Sequence, residues 1–500
     1  MSTTRKMLSR AVLLAVVAAL AFAPVRAQLP TLGDSGDMSS VSERKLGERV
    51  ARELYRDPDY IDDPVLIEYV EGIWRPLLAA ARARGDLTNE IDERFAWQVL
   101  LGRDRIVNAF AVPGGWLGLQ LGLINITATR DELASVLAHE LSHVTQRHIS
   151  RMMAQEKMRT PWLLAGMILG AIAASHNPEA ANAVLAGTQA LAMSQQLSYS
   201  RDMEREADRI GFGVLTQAGF DPHGFVGMFE KLQQASRLTD NGSYPYLRTH
   251  PLTTERVADM QTRQQLVVRP AHAAPSVEHA MITARSRVLS NPGVDGLRGF
   301  VTEAETADLA QQTVAKQAAT LYAAILADVR LRDYRPAMRL VPRLAALVAS
   351  DAPSARLAKL LDAEVALASG DAQHTLADVD PASPHRPDLL LAEQALLLQG
   401  RGRDVSQRLQ TWVATHPRDA TAWQLLARAY AMQGDSLRSI HSEAESQVAL
   451  MDYAAALDRF KAAQDFARRS TSSSDHIEAS IIDTRARQVQ SLLREQALER

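Results

Sequence analysis

The chain has 500 residues, 46% hydrophobic and 23% charged, which describes a globular protein of more than one domain and sets disorder aside. Its 55 basic residues stand against 58 acidic ones, a formal charge of −3, so no nucleic acid is expected among its partners. Cysteine is absent, which removes disulfides, cysteine lipidation and thiolate metal ligands together and leaves histidine and carboxylate for any metal.

The first 27 residues carry Arg5, Lys6, Arg10 and Arg26 and no acid, with an apolar run over 11–23 and Val25-Arg26-Ala27 behind it. This reads as a secretory signal peptide cleaved after Ala27, whose removal takes the formal charge from −3 to −7. The run, 13 residues, is short for a bilayer span, and an uncleaved amphipathic anchor is the alternative. Residues 28–42 are rich in Gly, Ser, Asp and Pro and read as a flexible lead-in. Leu46, Val50 and Leu54 mark a helix from Glu43, and Asp63-Pro64 opens another that contains Leu66, Val70 and Ile73. Residues 95–101 alternate around Trp97, Val99 and Leu101 and read as a strand. Residues 108–112 and 116–121 read as extended segments broken by Pro113-Gly114-Gly115; such a strand beside a cleft binds an extended peptide through its backbone, or is an ordinary sheet edge.

His139-Glu140-Leu141-Ser142-His143 follows. Two histidines four apart on a helix share a face and can reach one cation, with Glu140 beside them to take a proton from a water that the metal acidifies. The helical context is there: Thr129 with Glu132 reads as a capping box, and Leu133, Val136, Leu137, Leu141 and Val144 form a buried stripe. Residues 162–174 are an apolar run too short to span a membrane, read as a buried hairpin or a lid, with contact to a membrane surface or an apolar substrate as the sharper alternative. Asn177-Pro178 begins a helical stretch towards Ser200. A site with two histidines needs a third protein ligand, usually a carboxylate from a later helix, and 201–208 supplies Glu204, Glu206 and Asp208. Glu204 and Asp208 share a face, so one can bind metal while the other orients an imidazole; composition alone does not choose Glu204 over Glu206.

With Asn108-Ala109-Phe110-Ala111 before the turn, and Thr249-His250-Pro251 and Arg256 after the carboxylates, this set resembles the zinc metalloprotease family of the CAAX prenyl endopeptidase, HtpX and Oma-type proteases. The resemblance implies one Zn2+ per chain held by His139, His143 and Glu204, Glu140 as general base, and Asp208 supporting a ligand histidine. His250 would stabilise the oxyanion, occupy the open zinc position at rest, or cap its loop. Arg256 would meet a substrate carbonyl or an acidic ligand, or make a surface salt bridge. His148 is not the third histidine of the metzincin pattern, which wants Gly at 146 and His at 149 where Gln146 and Ile149 stand, and it reads as structural.

Residues 269–276 read as a linker. Beyond it the chain is rich in Ala and Leu with helical periodicity, and Gly370-Asp371, Gly400-Arg401 and Gly434-Asp435 mark helix ends. Trp423, Leu426, Ala427 and Tyr430 fit the first helix of a tetratricopeptide repeat, Tyr453, Ala456 and Phe460 a second, and Tyr334 with Ala337 an earlier degenerate unit. Residues 470–474 are a polar break before a charged capping helix.

The expected fold is mainly α: a signal peptide (1–27), a zincin-like α+β metalloprotease domain with a small sheet (28–270), and an all-α tetratricopeptide-repeat solenoid (277–500). Nearly the full length resembles periplasmic family members. That likeness implies a zinc endopeptidase, chaperone-like in part, with unfolded or stalled outer-membrane proteins as substrates and the β-barrel assembly machinery docked on the repeats. The alternatives are a repeat-based scaffold with a weak or regulatory protease domain, and a general degradative envelope protease.

Overall fold

Side-chain caps open several helices of the N-terminal half. Ser39 accepts a hydrogen bond from the Ser42 amide and starts α1 (Ser40–Arg56), so residues 40–42 belong to the helix and not to a flexible lead-in. The computed structural model describes residues 38–155, 200–238, 244–267, 276–290, 293–306, 308–469 and 475–498. The signal peptide, the apolar run at 162–174, the helical stretch from 177, the linker short of Ser276, and the break at 470–474 lie outside these residues.

After β1 (Tyr60–Ile61), Asp63 caps the Leu66 amide at the start of α2 (Pro64–Arg84), and α3 (Asn89–Arg94) follows. Strand β2 (Gln98–Gly102) begins later than the alternation at 95–101 suggests. Phe95 ends α3 through its amide to the Ile91 carbonyl, and Trp97 takes a left-handed φ of +50° while its indole donates to the Asp92 carbonyl. In the strand itself Leu100 and Leu101 are both buried. Strand β3 (Ala109–Val112) and β4 (Trp116–Gln120) pair antiparallel, β4 lies parallel to β2, and the sheet runs β1-β2-β4-β3. This leaves β3 as an outer strand, as a substrate-binding edge requires.

Short α4 (Leu121–Ile126) leads into α5 (Arg130–Thr145), the motif helix. Thr129 caps the Glu132 amide, but the Glu132 carboxylate answers to the amide of Ala128, one residue before the cap. Every residue of 132–145 is buried, so the expected stripe is a helix enclosed on all sides. The helix α6 (His148–Gln155) follows it, and α2, β3, α7 (Arg201–Gln217) and α8 (His223–Leu238) pack against it. Gly211 of α7 makes a close approach: a Cβ there would come 3.1 Å from the Ala138 carbonyl oxygen. The half closes with α9 (Tyr246–Thr249) and α10 (Thr254–Gln265).

The remainder is helical: α11 (Val277–Leu289), α12 (Val294–Thr306), α13 (Val314–Leu331), α14 (Tyr334–Val348), α15 (Ala352–Ser369), α16 (Ala372–Asp378), α17 (Arg386–Leu398), α18 (Gly402–Thr415), α19 (Ala420–Met432), α20 (Ser436–Ala449), α21 (Tyr453–Arg469) and α22 (Asp475–Leu498). Gly370, Gly400 and Gly434 sit at the three expected helix ends with φ of +86°, +74° and +76°. Tyr453, Ala456 and Phe460 lie on α21, which is not the partner of the Trp423 helix, because α20 intervenes and packs on both. Helix α20 buries Ser439, Ser442 and Ser446 beside Leu437 and Ala444, so serines crowd the thin apolar stripe that Leu437, Ile440, Ala444 and Val448 make. Among the described residues no helix is long and apolar enough to cross a membrane.

One hydrophobic cluster runs from Val65 of α2 through α5 and α7 into α11, α13, α15 and α17, so helices on both sides of residues 268–275 share a core. Polar contacts tie the same faces. Tyr69 of α2 donates to Nδ1 of buried His279 on α11, 2.7 Å, while His279 Nε2 lies 3.1 Å from the Thr127 hydroxyl. Burial holds this imidazole down to about 4, and its neutral form fits a hydroxyl on one nitrogen and acceptors on the other. A group depressed from 6.5 to about 4 contributes stability that is whole above pH 6.5 and lost as pH falls towards 4, at most roughly 3 kcal/mol. Urea unfolding at pH 7 and pH 4.5 is expected to show that component in the native chain and to lack it in His279→Gln; equal pH dependence in both would refute the assignment.

Candidate metal centre

The motif helix is a rigid, enclosed support, and it presents His139, Glu140 and His143 together on its inner face. Helix α7, drawn close at Gly211, adds Glu204 and Asp208 from one of its faces, and His250 enters from the end of α9. Ligand atoms of His139, His143, Glu204 and His250 all lie within 4.8 Å of one another, and all four side chains are buried. Nε2 of His139 and of His143 are 3.0 Å apart; Glu204 is 3.5 Å from each, and Nδ1 of His250 is 3.0 Å from Glu204 Oε1.

On its far side Nδ1 of His139 is 3.0 Å from Asp208 Oδ1. A carboxylate there fixes the proton on Nδ1 and turns the Nε2 lone pair towards the cluster. Arg256 grips the same Asp208 through two hydrogen bonds of 2.6 and 2.7 Å and reaches Glu204 at 2.7 Å. It is 4% exposed, so the surface salt bridge is overturned: Arg256 meets the Glu204 and Asp208 carboxylates inside the protein.

Burial opposes every charge here, and the partners decide each outcome. Glu204 stays well below the carboxylate range because His250 and His139 outweigh its desolvation, and Asp208 stays low because Arg256 and His139 do. Burial would lower His139, but Asp208 and Glu204 raise it to about 9, so this negative pocket favours a positive charge at its centre. His143 falls well below its usual value, first from burial and then from His139 beside it. Glu140 is fully enclosed and burial raises its carboxyl.

Glu140 faces the sheet. Its Oε2 accepts from the Ala111 amide of β3 at 3.0 Å, while Oε1 makes no hydrogen bond and lies 3.4 Å from His250 Nε2. The Asn108 carbonyl receives the Gln120 amide, so by alternation Phe110 and Val112 bond β4 while Ala109 and Ala111 turn their backbone groups to the outer edge beside Glu140.

Three more residues complete the site: Tyr246, which the sequence left without a role, Glu206, the alternative to Glu204, and His148, read as structural. Tyr246, buried, stacks on His250 with centroids 4.5 Å apart; its only local signal is its place four residues before His250. Glu206 points away from the cluster and bonds His148 and Arg151, which hold it down to about 2. His148 stays out of the cluster, as expected, yet its Nδ1 touches Nδ1 of His143 at 2.9 Å.

The sequence profile of peptidase family M48 matches residues 83–264, which contain all of these groups. The beta-barrel assembly-enhancing protease of Yersinia pestis is 30% identical over 429 residues, 85% of this chain and 84% of its own. The chain belongs to this M48 family of beta-barrel assembly-enhancing proteases. The Escherichia coli K12 protein of that name is 29% identical over 430 residues, and the mitochondrial metalloendopeptidase OMA1 of Saccharomyces cerevisiae is 28% identical over 196 residues, 38% of this chain and 54% of its own.

This metallopeptidase therefore works with a divalent metal, and its residues fit one. The donor set is imidazole and carboxylate without thiolate, the Nε2 lone pair of His139 is aimed inward, and the surrounding charge is negative.

Proposed function

We propose that the chain is a periplasmic zinc endopeptidase in the quality control and assembly of outer-membrane β-barrel proteins. The observation that supports it most is the convergence of two imidazoles and the Glu204 carboxylate beside Glu140 and an outer strand. Two imidazoles, one carboxylate and a further position suit zinc. When bound there, zinc supplies Lewis acidity, lowering the pKa of a water and polarising a carbonyl.

The protein groups divide the remaining work. Glu140, with its carboxyl raised by burial, takes the proton of the attacking water and hands it to the leaving amine. The outward backbone groups of Ala109 and the carbonyl of Ala111 align an extended substrate along β3, the Ala111 amide being given to Glu140; main-chain pairing asks little of the substrate's sequence and suits unfolded chains. His139, His143 and Glu204 hold the metal, and Asp208, pinned by Arg256, orients His139.

His250 sits within the cluster and 3.4 Å from Glu140, which favours a fourth ligand at rest that substrate displaces, over an oxyanion donor or a loop cap. His250→Ala is then expected to cleave unfolded casein several-fold faster with zinc still bound. Loss of cleavage would favour the oxyanion role.

The relatives' name and the signal-like first 27 residues support the pathway, with residues 28–270 as the protease and 277–500 as a tetratricopeptide-like array that docks on the β-barrel assembly machinery. A Glu140→Gln chain in the periplasm, cross-linked and recovered, should carry outer-membrane β-barrel precursors. Recovery of unrelated envelope proteins in proportion to abundance would favour a general degradative protease.

A further inference from the structure

A cluster remains behind the metal centre, in which His148 meets His143 on the side away from the ligands and Glu206 and Arg151 stand behind His148. The backbone has been bent to make this contact. Were α5 continued as a regular helix, residue 148 would point about 140° away from residue 143 around the axis. The helix stops at Thr145, and Arg147 takes a left-handed φ of +52°, a conformation a side chain other than glycine adopts at a cost and keeps only where its surroundings hold it. Arg147 is held by an ion pair of 2.9 Å to buried Glu43 of α1. The turn restarts the helix with His148 as its first residue and swings the imidazole back beneath His143.

The contact has one consistent reading. Nε2 of His143 faces His139 and Glu204, so its Nδ1 is the rear atom, and that atom is 2.9 Å from Nδ1 of His148. Nε2 of His148 lies 3.1 Å from Glu206 Oε2. A carboxylate can only accept, so His148 carries a proton on Nε2; a His143 that turns its Nε2 lone pair to a metal must carry N–H on Nδ1, and the Nδ1 lone pair of a neutral His148 then accepts it. The Nε2 lone pair of His143 is thereby aimed at the metal. Arg151, 2.8 Å from the same Glu206 oxygen, holds the end of the chain.

We propose that His148 is a positioning residue of this centre: with Glu206 behind it, it fixes the tautomer and ring plane of His143 as Asp208 does for His139. The two ligand imidazoles thus rest on different supports, a carboxylate on one side and a neutral imidazole backed by a carboxylate on the other. This inference rests on the reading of His143 as a metal ligand.

The test uses full-length protein loaded with zinc alone, and reads zinc transfer to a chromophoric chelator, kcat and KM on casein, and melting of the metal-free form. His148→Ala is expected to hold zinc 10- to 100-fold more weakly and to lose kcat with KM unchanged. His148→Asn is expected to recover most of both, because its Oδ1 takes the place of Nδ1 as acceptor, and Glu206→Gln to show a smaller loss in the same direction. Zinc held by His148→Ala as tightly as by the native chain would overturn the proposal. So would His148→Asn no better than His148→Ala while both metal-free forms melt like the native one. Should His148→Ala fail to fold, Glu206→Gln decides, and unchanged zinc affinity there counts against the proposal. A native chain that binds no zinc would instead defeat the metal reading itself.

Discussion

Glu140→Gln is expected to cut peptide hydrolysis by about 10³-fold or more while the chain keeps its metal and its melting temperature. The substitution is nearly isosteric at a side chain with no exposure, and its amide oxygen can still accept from the Ala111 amide, so packing and the β3 contact survive. What disappears is the capacity to receive a proton. The carboxyl is raised by burial, which brings it nearer the range where a base can take a proton from water and return it to an amine. None of the cluster contacts among His139, His143 and Glu204 passes through Glu140, which is why metal content should not follow activity. Metal analysis beside casein cleavage checks both halves. Cleavage within tenfold of the native rate would move the base elsewhere, and metal lost along with activity would make Glu140 a ligand.

How far the site could be read from the sequence depended on how local each relation is. His139, Glu140 and His143 sit within one turn of a helix, so spacing alone places them together. Glu204 and Glu206 are two apart on α7 and differ only in which face meets α5, and that choice depends on packing at Gly211 that no local pattern records. His250 arrives from a four-residue helix and was legible only through family resemblance. Arg256 was left open between a substrate carbonyl, an acidic ligand and a surface salt bridge because α10 is largely polar; the acidic pair beneath it explains its burial. The helical ends were legible through their glycines, whereas α20 was hidden by its buried serines. The bend at Arg147 breaks the helical period at the point where His148 gains its contact, so no helical spacing from His143 shows that the two imidazoles meet.

Arg285→Met is expected to destabilise the whole chain by about 3–5 kcal/mol, the cost typical of removing one partner from a buried charged group. The guanidinium of Arg285 on α11 makes two bonds to Asp63, 2.8 and 2.7 Å, and reaches Glu364 of α15 at 2.9 Å and the Tyr322 hydroxyl of α13 at 3.0 Å. Asp63 also caps α2, so the one cation joins the helix that leads into the metal domain to three helices of the array. Met fills similar volume but leaves two carboxylates facing apolar surroundings. Glu364 is already raised by burial with Arg285 present, and without it would rise further. A carboxyl raised in the folded state loses stability as pH climbs through its folded value, so the deficit should be largest near pH 8 and shrink as pH falls towards 4.5. Adding Glu364→Gln to Arg285→Met should recover part of the loss and flatten that pH dependence. Denaturant unfolding of the four chains forms a double-mutant cycle; a coupling near zero would mean that Arg285 and Glu364 do not stabilise one another. A single unfolding transition splitting into two in Arg285→Met would mean that the Arg285–Asp63 contact is what makes the metal centre and the helical array unfold together.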